Sequence, residues 1–417
     1  MNLFVKQNVA FVIGLDCFTG LQTARILSKY EIPVTGIATD PKHFCCKTRV
    51  CSEKVFCNTK NESLIETLCD LGPGLQAKGV LYPCHDIAVS LISRHREKLE
   101  NWFHIALPSP QSVELLMDKY SFVKYAIKAG LPIPQTAFIR SNSEALKTAD
   151  EMRYPCILKP PHKTLKWEKN CSEKVFRVET KAEFLEIYHR VKGWADLLMA
   201  QQWVEGTDAD LFSCNCYFDS ESKPVAHFVA KKMRQWPPRA GTSCLGIETR
   251  CDEVLRTTLD LFRRNKYFGL GYLEMKRNRA DGKYYIIEPN IGRPTGRSAI
   301  AEAGGVEILY AMYCDLTGRE RPKNLSQRYT GVKWIYFRRD LQSAYYYWKK
   351  GELSIGQWIQ SIRGKKAWAL FSPDDPLPFF ADFFRVIGIS IGRKTKNSNS
   401  AAPAHPVIKK NEKWAKI

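Results

Sequence analysis

The strongest constraint in this chain is a pair of strand-like runs, Gly269-Leu-Gly-Tyr-Leu-Glu-Met-Lys276 and Tyr284-Tyr-Ile-Ile-Glu-Pro-Asn290, divided by Ala280-Asp281-Gly282. A three-residue loop with Gly282 in the left-handed conformation fits the interval. It sets Arg279 opposite Lys283 and, in the same register, Glu274 opposite Glu288. Side chains two apart share a strand face, so Asn290 joins Glu288. Like charges facing each other on paired strands are unfavourable. A divalent cation reverses that cost, and two carboxylates with an amide oxygen suit Mg²⁺ held together with substrate phosphates. The competing reading is a solvent-facing hairpin edge, which the apolar neighbours in both runs disfavour.

At 417 residues the chain calls for two or three domains, and 44% hydrophobic against 25% charged residues is the balance of a globular protein. No run of 18 apolar residues occurs. The first residues lack the pattern of a secretory leader, so a cytoplasmic protein is expected. The fourteen cysteines then read as reduced thiols. Cys45, Cys46, Cys51 and Cys57 are the densest group, without zinc spacing. A net charge of +20 favours anionic partners. Residues 393–417 carry seven Lys or Arg against Glu412 and read as a disordered basic tail. Attachment of that tail to an anionic membrane surface, placing the protein peripheral to the membrane, is the sharper alternative. No RNP, KH or zinc-finger pattern supports a specific nucleic acid.

Residues 1–112 alternate strand and helix: Val9–Ile13, a helix at Gly20, Val34–Ala38, Gly79–Pro83 and a helix from Ile87. This predicts an α/β domain on a parallel sheet. The loop Gly14–Gly20 is not GxGxxG, so a dinucleotide site is poorly supported. Asp16, His85 and Asp86 sit at strand ends, as loop caps or as amine ligands. Residues 113–325 read as α+β. A helix spans 117–129; strands follow at 136–139, 156–159, 175–178, 197–204, 211–218 and 225–231; a helix covers 252–265. Residues 326–392 are aromatic-rich and predict amphipathic helices packed on the main body, with a membrane or partner face as the alternative.

Several cations and one strand end complete the candidate site. Lys159 closes an apolar strand, where its ammonium can reach a phosphate as a point charge. Lys174 opens another strand beyond a basic loop. Gln201, Gln202, Trp203 and Val204 could hold a purine edge through backbone groups, with Asp208 near ribose hydroxyls. Arg293 and Arg297 follow the carboxylates, and paired N–H donors suit a carboxylate or phosphate. Lys232, Arg234 and Arg239 are further candidates.

In this order the residues resemble the ATP-grasp superfamily, specifically its carboxylate–amine ligases of D-aspartate ligase type. The likeness runs over about residues 9–320 through Gly20-Leu-Gln-Thr-Ala-Arg, Asp118-Lys119, Ile-Leu-Lys159-Pro, Gln-Gln-Trp-Val-Glu-Gly-Thr-Asp208, Gly-Tyr-Leu-Glu274 and Glu288-Pro-Asn290-Ile-Gly-Arg293. The resemblance implies an N-terminal parallel-sheet domain and an ATP-grasp domain of two α+β subdomains enclosing ATP, with a helical C-terminal extension. It puts Lys159 and Lys174 at the phosphates, Gln201–Val204 at the adenine and Asp208 at the ribose, with Lys119 also in the cofactor site. It puts Glu274, Glu288 and Asn290 on one or two Mg²⁺ ions, or Mn²⁺ in their place. Arg293 becomes the group that orients the acid, with Lys232, Arg239 and Arg297 beside it. The loop after Lys159 departs from the family in lacking glycines and carrying Trp167, and Gln201 stands where many members have Glu. The expected reaction joins a small or polymer-linked carboxylate to an amine, such as an amino acid, through an acyl phosphate. A homodimer is also expected. The alternatives are another acyl-phosphate-forming ligase and a non-catalytic nucleotide sensor.

Overall fold

The computed structural model describes residues 7–162, 164–171, 175–238 and 241–398, the last ten by their backbone alone. Three sheets carry the fold. The first contains β1 (Ala10–Ile13), β2 (Val34–Ala38), β3 (Glu53–Phe56), β4 (Gly79–Pro83) and β5 (Phe103–His104), all parallel, in the order β3-β2-β1-β4-β5. Every residue of β1, β2 and β4 is buried, as expected of parallel strands covered on both faces. The strand order reverses beside β1, so the carboxyl ends of β1 and β4 border the crevice where such sheets present ligand-binding loops. Asp16 and His85 lie there and act as caps. Asp16 accepts the N–H groups of Thr39 and Asp40, and His85 caps the helix Asp86–Arg94.

The second sheet comprises β6 (Thr136–Ile139), β7 (Cys156–Lys159), β8 (Phe176–Val178) and β9 (Leu198–Gln202), antiparallel in the order β6-β9-β7-β8. Cys156, Leu158, Val178, Leu198 and Ala200 pack one face against the helices Asn142–Glu151 and Lys181–Val191. Period two then turns Ile157, Lys159, Arg177, Met199 and Gln201 to the opposite face. The segment after Lys159 is not simply a polar loop. Thr164 caps a short helix, Leu165–Asn170, whose Trp167 is fully buried edge-to-face with Phe176 and Trp194. Burying an indole of that size anchors the segment where flexible glycines were the family expectation.

The third sheet holds β10 (Leu211–Phe218), β11 (Pro224–Trp236), β12 (Thr242–Glu248), β13 (Gly269–Arg277), β14 (Tyr284–Ile291), β15 (Lys333–Ile335) and β16 (Lys366–Trp368). Its order is β14-β13-β10-β11-β12-β15-β16, antiparallel except at β15–β16.

Three expectations need correction. The 117–129 helix is two helices, Pro110–Met117 and Lys119–Lys128, because Asp118 leaves helical geometry and caps the second through the Ser121 N–H. The 326–392 segment supplies β15 and β16 as well as helices. It is tied inward by buried ion pairs, Arg234–Asp340 at 2.8 Å and Arg25–Asp375 at 2.8 Å. The final helix, Leu377–Ser398, runs past the 392 boundary, and residues 399–417 of the basic tail lie outside the described residues.

Candidate active site

The carboxylate hairpin reaches its expected pairing by a different route. Lys283 accepts from the Asn278 N–H, and Arg277 pairs with Tyr284, so four residues rather than three turn the chain and Arg279 does not face Lys283. That register alone would misalign the acids by one position. A bulge between Glu274 and Met275 on one strand, with Ile287 as the extra residue on the other, restores Glu274 opposite Glu288. Gly282 is left-handed, φ 72°, as the turn requires.

Pairing across β10, β13 and β14 builds two adjacent polar ranks. Ser213, Glu274 and Glu288 form one; Asn215, Tyr272 and Asn290 form the next. Two arginines from the following loop clamp these ranks. Arg293 donates to the Tyr272 hydroxyl and Asn290 Oδ1, both at 2.6 Å, and to Asp86 Oδ1 at 2.5 Å. Arg297 donates to Ser213 Oγ at 3.0 Å, and Lys232 Nζ lies 3.6 Å from Glu274 Oε2. Asp86 thus links the crevice of the first sheet to the third.

A cavity of about 260 Å³ opens between the second and third sheets, lined among others by Lys119, Lys159, Gln201, Glu288, Asn290 and Arg293. Lys119 is the first residue of its helix. Asp118, just before it, also pairs with His162 at 2.5 Å, holding the helix start to the segment beyond β7. Six sequence-predicted site residues therefore share one space, and Lys232, Glu274 and Arg297 stand alongside.

The electrostatics are those of a cation-rich site with two carboxylates at its centre. Burial, with help from Lys119, pushes the Lys159 ammonium down to about 8, against the pull of Glu288. Burial and the charge of Glu274 raise Glu288 above the ordinary carboxyl range. Burial also pushes Glu274 upward, but Lys232 and Arg297 outweigh it and hold that carboxyl low. Burial opposes the charge on Arg293, yet Tyr272 and Asp86 raise it overall. Asn290 Nδ2 and Arg297 Nη1 are buried without a protein partner. Such atoms call for a ligand or water.

Other expected residues fall elsewhere. Trp203 and Asp208 border a neighbouring cavity of about 520 Å³. Trp203 lies 5.0 Å from each of the Arg177 and Lys276 cations, measured to its ring centroid. Asp208 is buried and already accepts from the Gln235 N–H, Gln235 Nε2 and the Tyr347 hydroxyl. The N–H groups of Gln202 and Trp203 bond the carbonyls of Gln135 and Pro155, which removes those two donors from a purine-holding role. Val204 is buried. Lys174 and Arg239 lie outside the described residues. Sequence reading missed Tyr272 and Ser213 as partners of the arginines. Tyr272, two residues before Glu274 on the same strand face, could have been found by period two alone.

No family model matches the chain. It is 25% identical over 231 residues to D-aspartate ligase of Enterococcus faecium (strain Aus0004), covering 53% of this chain and 54% of that protein. It is 24% identical over 183 residues to D-alanine–D-alanine ligase of Pseudomonas fluorescens (strain Pf0-1), covering 42% and 53%. The matched part thus spans about half the length of these curated relatives. The fold is similar to N5-carboxyaminoimidazole synthetase of Staphylococcus aureus, with TM-score 0.60, 15% identity and 78% and 82% of the two chains covered. It is also similar to the biotin carboxylase domain of Hydrogenobacter thermophilus 2-oxoglutarate carboxylase, solved as a dimer with MgADP, ADP and bicarbonate. There the TM-score is 0.58 at 16% identity, over 76% and 71% of the chains. The chain thus resembles these ligases in part of its sequence and shares the fold of these two enzymes. Within this fold the hairpin carboxylates, Lys159 and the two arginines are the groups brought to one place. No helix among the described residues is long and apolar enough to cross a membrane.

Proposed function

We propose that this protein is an ATP-dependent carboxylate–amine ligase that forms an amide through an acyl phosphate. One observation carries the reading: Glu274 and Glu288 are paired across two strands beside a cavity that also receives Lys119, Lys159, Asn290 and Arg293. The donor set fits Mg²⁺, because the upward push on Glu288 by Glu274 is the kind of repulsion a divalent ion relieves, and Asn290 Oδ1, which also accepts from Arg293, could add an amide oxygen through its second lone pair. Glu274, Glu288 and Asn290 would hold the ion, which when bound would supply positive charge against the phosphates.

The protein's own groups position and neutralise. Lys119 and Lys159 meet the phosphates as point charges, and the nucleoside extends toward Gln201 and Trp203 between the second and third sheets. Arg293, held by Tyr272 and Asp86, orients the substrate acid so that its oxygen attacks the γ-phosphate and ADP leaves. The amine then attacks the acyl carbon and phosphate departs. Such a reaction needs alignment and charge stabilisation rather than a protein nucleophile. The relatives named D-aspartate ligase and D-alanine–D-alanine ligase support an amino acid as one substrate. A homodimer, Mn²⁺ substitution and a polymer-linked acid belong to the same proposal.

The test is phosphate release with Mg-ATP across a panel of amino acids and small carboxylic acids, with mass spectrometry of the products. Substrate-dependent phosphate and a product one water lighter than the joined reactants establish the reaction. Nucleotide binding without turnover on any acid–amine pair favours the sensor reading.

A further inference from the structure

Thirteen of the twenty exposed large apolar side chains among the described residues fall between 337 and 387. They are ordered by helical geometry. In the helix Phe337–Lys349, Phe337, Leu341, Tyr345 and Trp348 recur at intervals of four, four and three. In the helix Ile355–Ile362, Ile355, Trp358, Ile359 and Ile362 follow the same rule, yet that helix buries no residue. In the helix Leu377–Ser398, Phe380, Phe383, Phe384 and Ile387 do so again, and Phe384 is 65% exposed. Apolar residues at such spacing occupy one helical stripe, and here all three stripes present exposed apolar side chains, while Trp358 turns its indole N–H inward to Asp340. Aromatic contacts join them into one surface. Phe337 touches Trp358 and Trp368, Trp368 touches Phe371, and Phe371 continues to Phe379 and Phe383, with ring centroids 5.4–6.5 Å apart.

The charges of this segment are sorted by direction. Three of its five acids turn inward: Asp340, Asp375 and Asp382 are buried and paired with Arg234, Arg25 and Arg338, while Glu352 and Asp374 are exposed. Its cations turn outward, with Lys349 over Tyr345, Lys350 over Tyr346 and Lys366 over Trp368. A contiguous aromatic face rimmed by Lys and Arg, whose cations outnumber its exposed acids Glu352 and Asp374, matches a bilayer surface of negative charge. A second copy would bring the same cations against themselves.

We propose that the outward face of residues 337–387 docks on an anionic lipid surface, seating its aromatic side chains at headgroup level. This is independent of the proposed reaction and of the basic residues beyond 398.

The experiment is flotation of the full chain with vesicles of phosphatidylcholine alone or mixed with phosphatidylglycerol. Binding to the mixed vesicles, weakened by salt and accompanied by a blue shift of tryptophan emission, is expected. Phe380→Asp and Phe384→Asp each lower the partition by about tenfold, and Lys349→Glu with Lys366→Glu lowers it on anionic vesicles only. Circular dichroism of each variant checks that the fold is retained. Three results overturn the proposal: no binding to anionic vesicles; binding indifferent to the Phe substitutions, which leaves the tail as the anchor; or self-association in the ultracentrifuge that the Phe substitutions abolish.

Discussion

Replacing Glu288 by Gln separates what the paired carboxylates cost from what they do. Glu274 and Glu288 face each other directly, and like charges so placed destabilise a strand pair by roughly 0.2–1 kcal/mol. The Gln variant keeps the shape and removes one charge, so the ligand-free protein becomes more stable by that amount. At about 2–4 °C per kcal/mol for domains of 150–250 residues, and less for longer chains, melting rises by at most about 4 °C. The pH dependence gives a second reading. The raised value of Glu288 means that the folded state holds its proton more tightly than the unfolded chain. The associated stability is complete below the ordinary carboxyl range and is lost as pH rises through the raised folded value. The variant's advantage is therefore present at neutral pH and absent in acid. With Mg-ATP the order inverts. Wild type at a ligand concentration about 100 times Kd gains about 2.7 kcal/mol, roughly 5–10 °C on the same scale, while the variant gains little and turns over no ATP. Differential scanning fluorimetry with and without Mg-ATP, across pH, measures all of this. A variant that is less stable without ligand, or that keeps the full Mg-dependent shift, refutes the cross-strand metal reasoning.

Lys159, pushed to about 8, loses its charge as pH rises through that value, so nucleotide affinity falls above it. Lys159→Arg flattens the decline, and isothermal titration across pH would show a pH-independent wild type if the lysine does not meet phosphate. Arg293→Ala raises the KM for the acid more than that for ATP, because its guanidinium is fixed by Tyr272, Asn290 and Asp86. Equal effects on both substrates in steady-state kinetics contradict that role. Asp375→Ala strands the buried Arg25 and removes bonds to Thr48 and the Arg49 N–H; breaking such a pair costs about 3–5 kcal/mol. Urea unfolding that shows no loss would mean residues beyond 326 are not integral to the fold.

Much of the fold was legible because its signals are local. Val34–Ala38, Thr136–Ile139, Cys156–Lys159 and Leu211–Phe218 form strands where their apolar runs lie between turn residues. The order of Lys159, Glu274, Glu288, Asn290 and Arg293 exposed the site for a related reason: period two puts side chains on faces before any packing is known. The alternation of acid, apolar residue and amide through Glu288-Pro-Asn290 is a property of the chain itself.

What the sequence could not settle depended on partners distant along it. The four-residue turn and the compensating bulge at Ile287 arise from strand pairing, and either alone would turn the acids apart. Asp208 has the chemistry of a ribose ligand, yet packing delivers Gln235 and Tyr347 to its oxygens. Asp86 pairs with an arginine 207 residues away. Residues 333–335 and 366–368 are too short to declare themselves as strands, and become so only where β15 pairs with β12 and β16 with β15. Local periodicity determined the elements and the inventory of charged groups. Register and burial, which arise only when separate segments meet, decided which of those groups stand free and which are already satisfied.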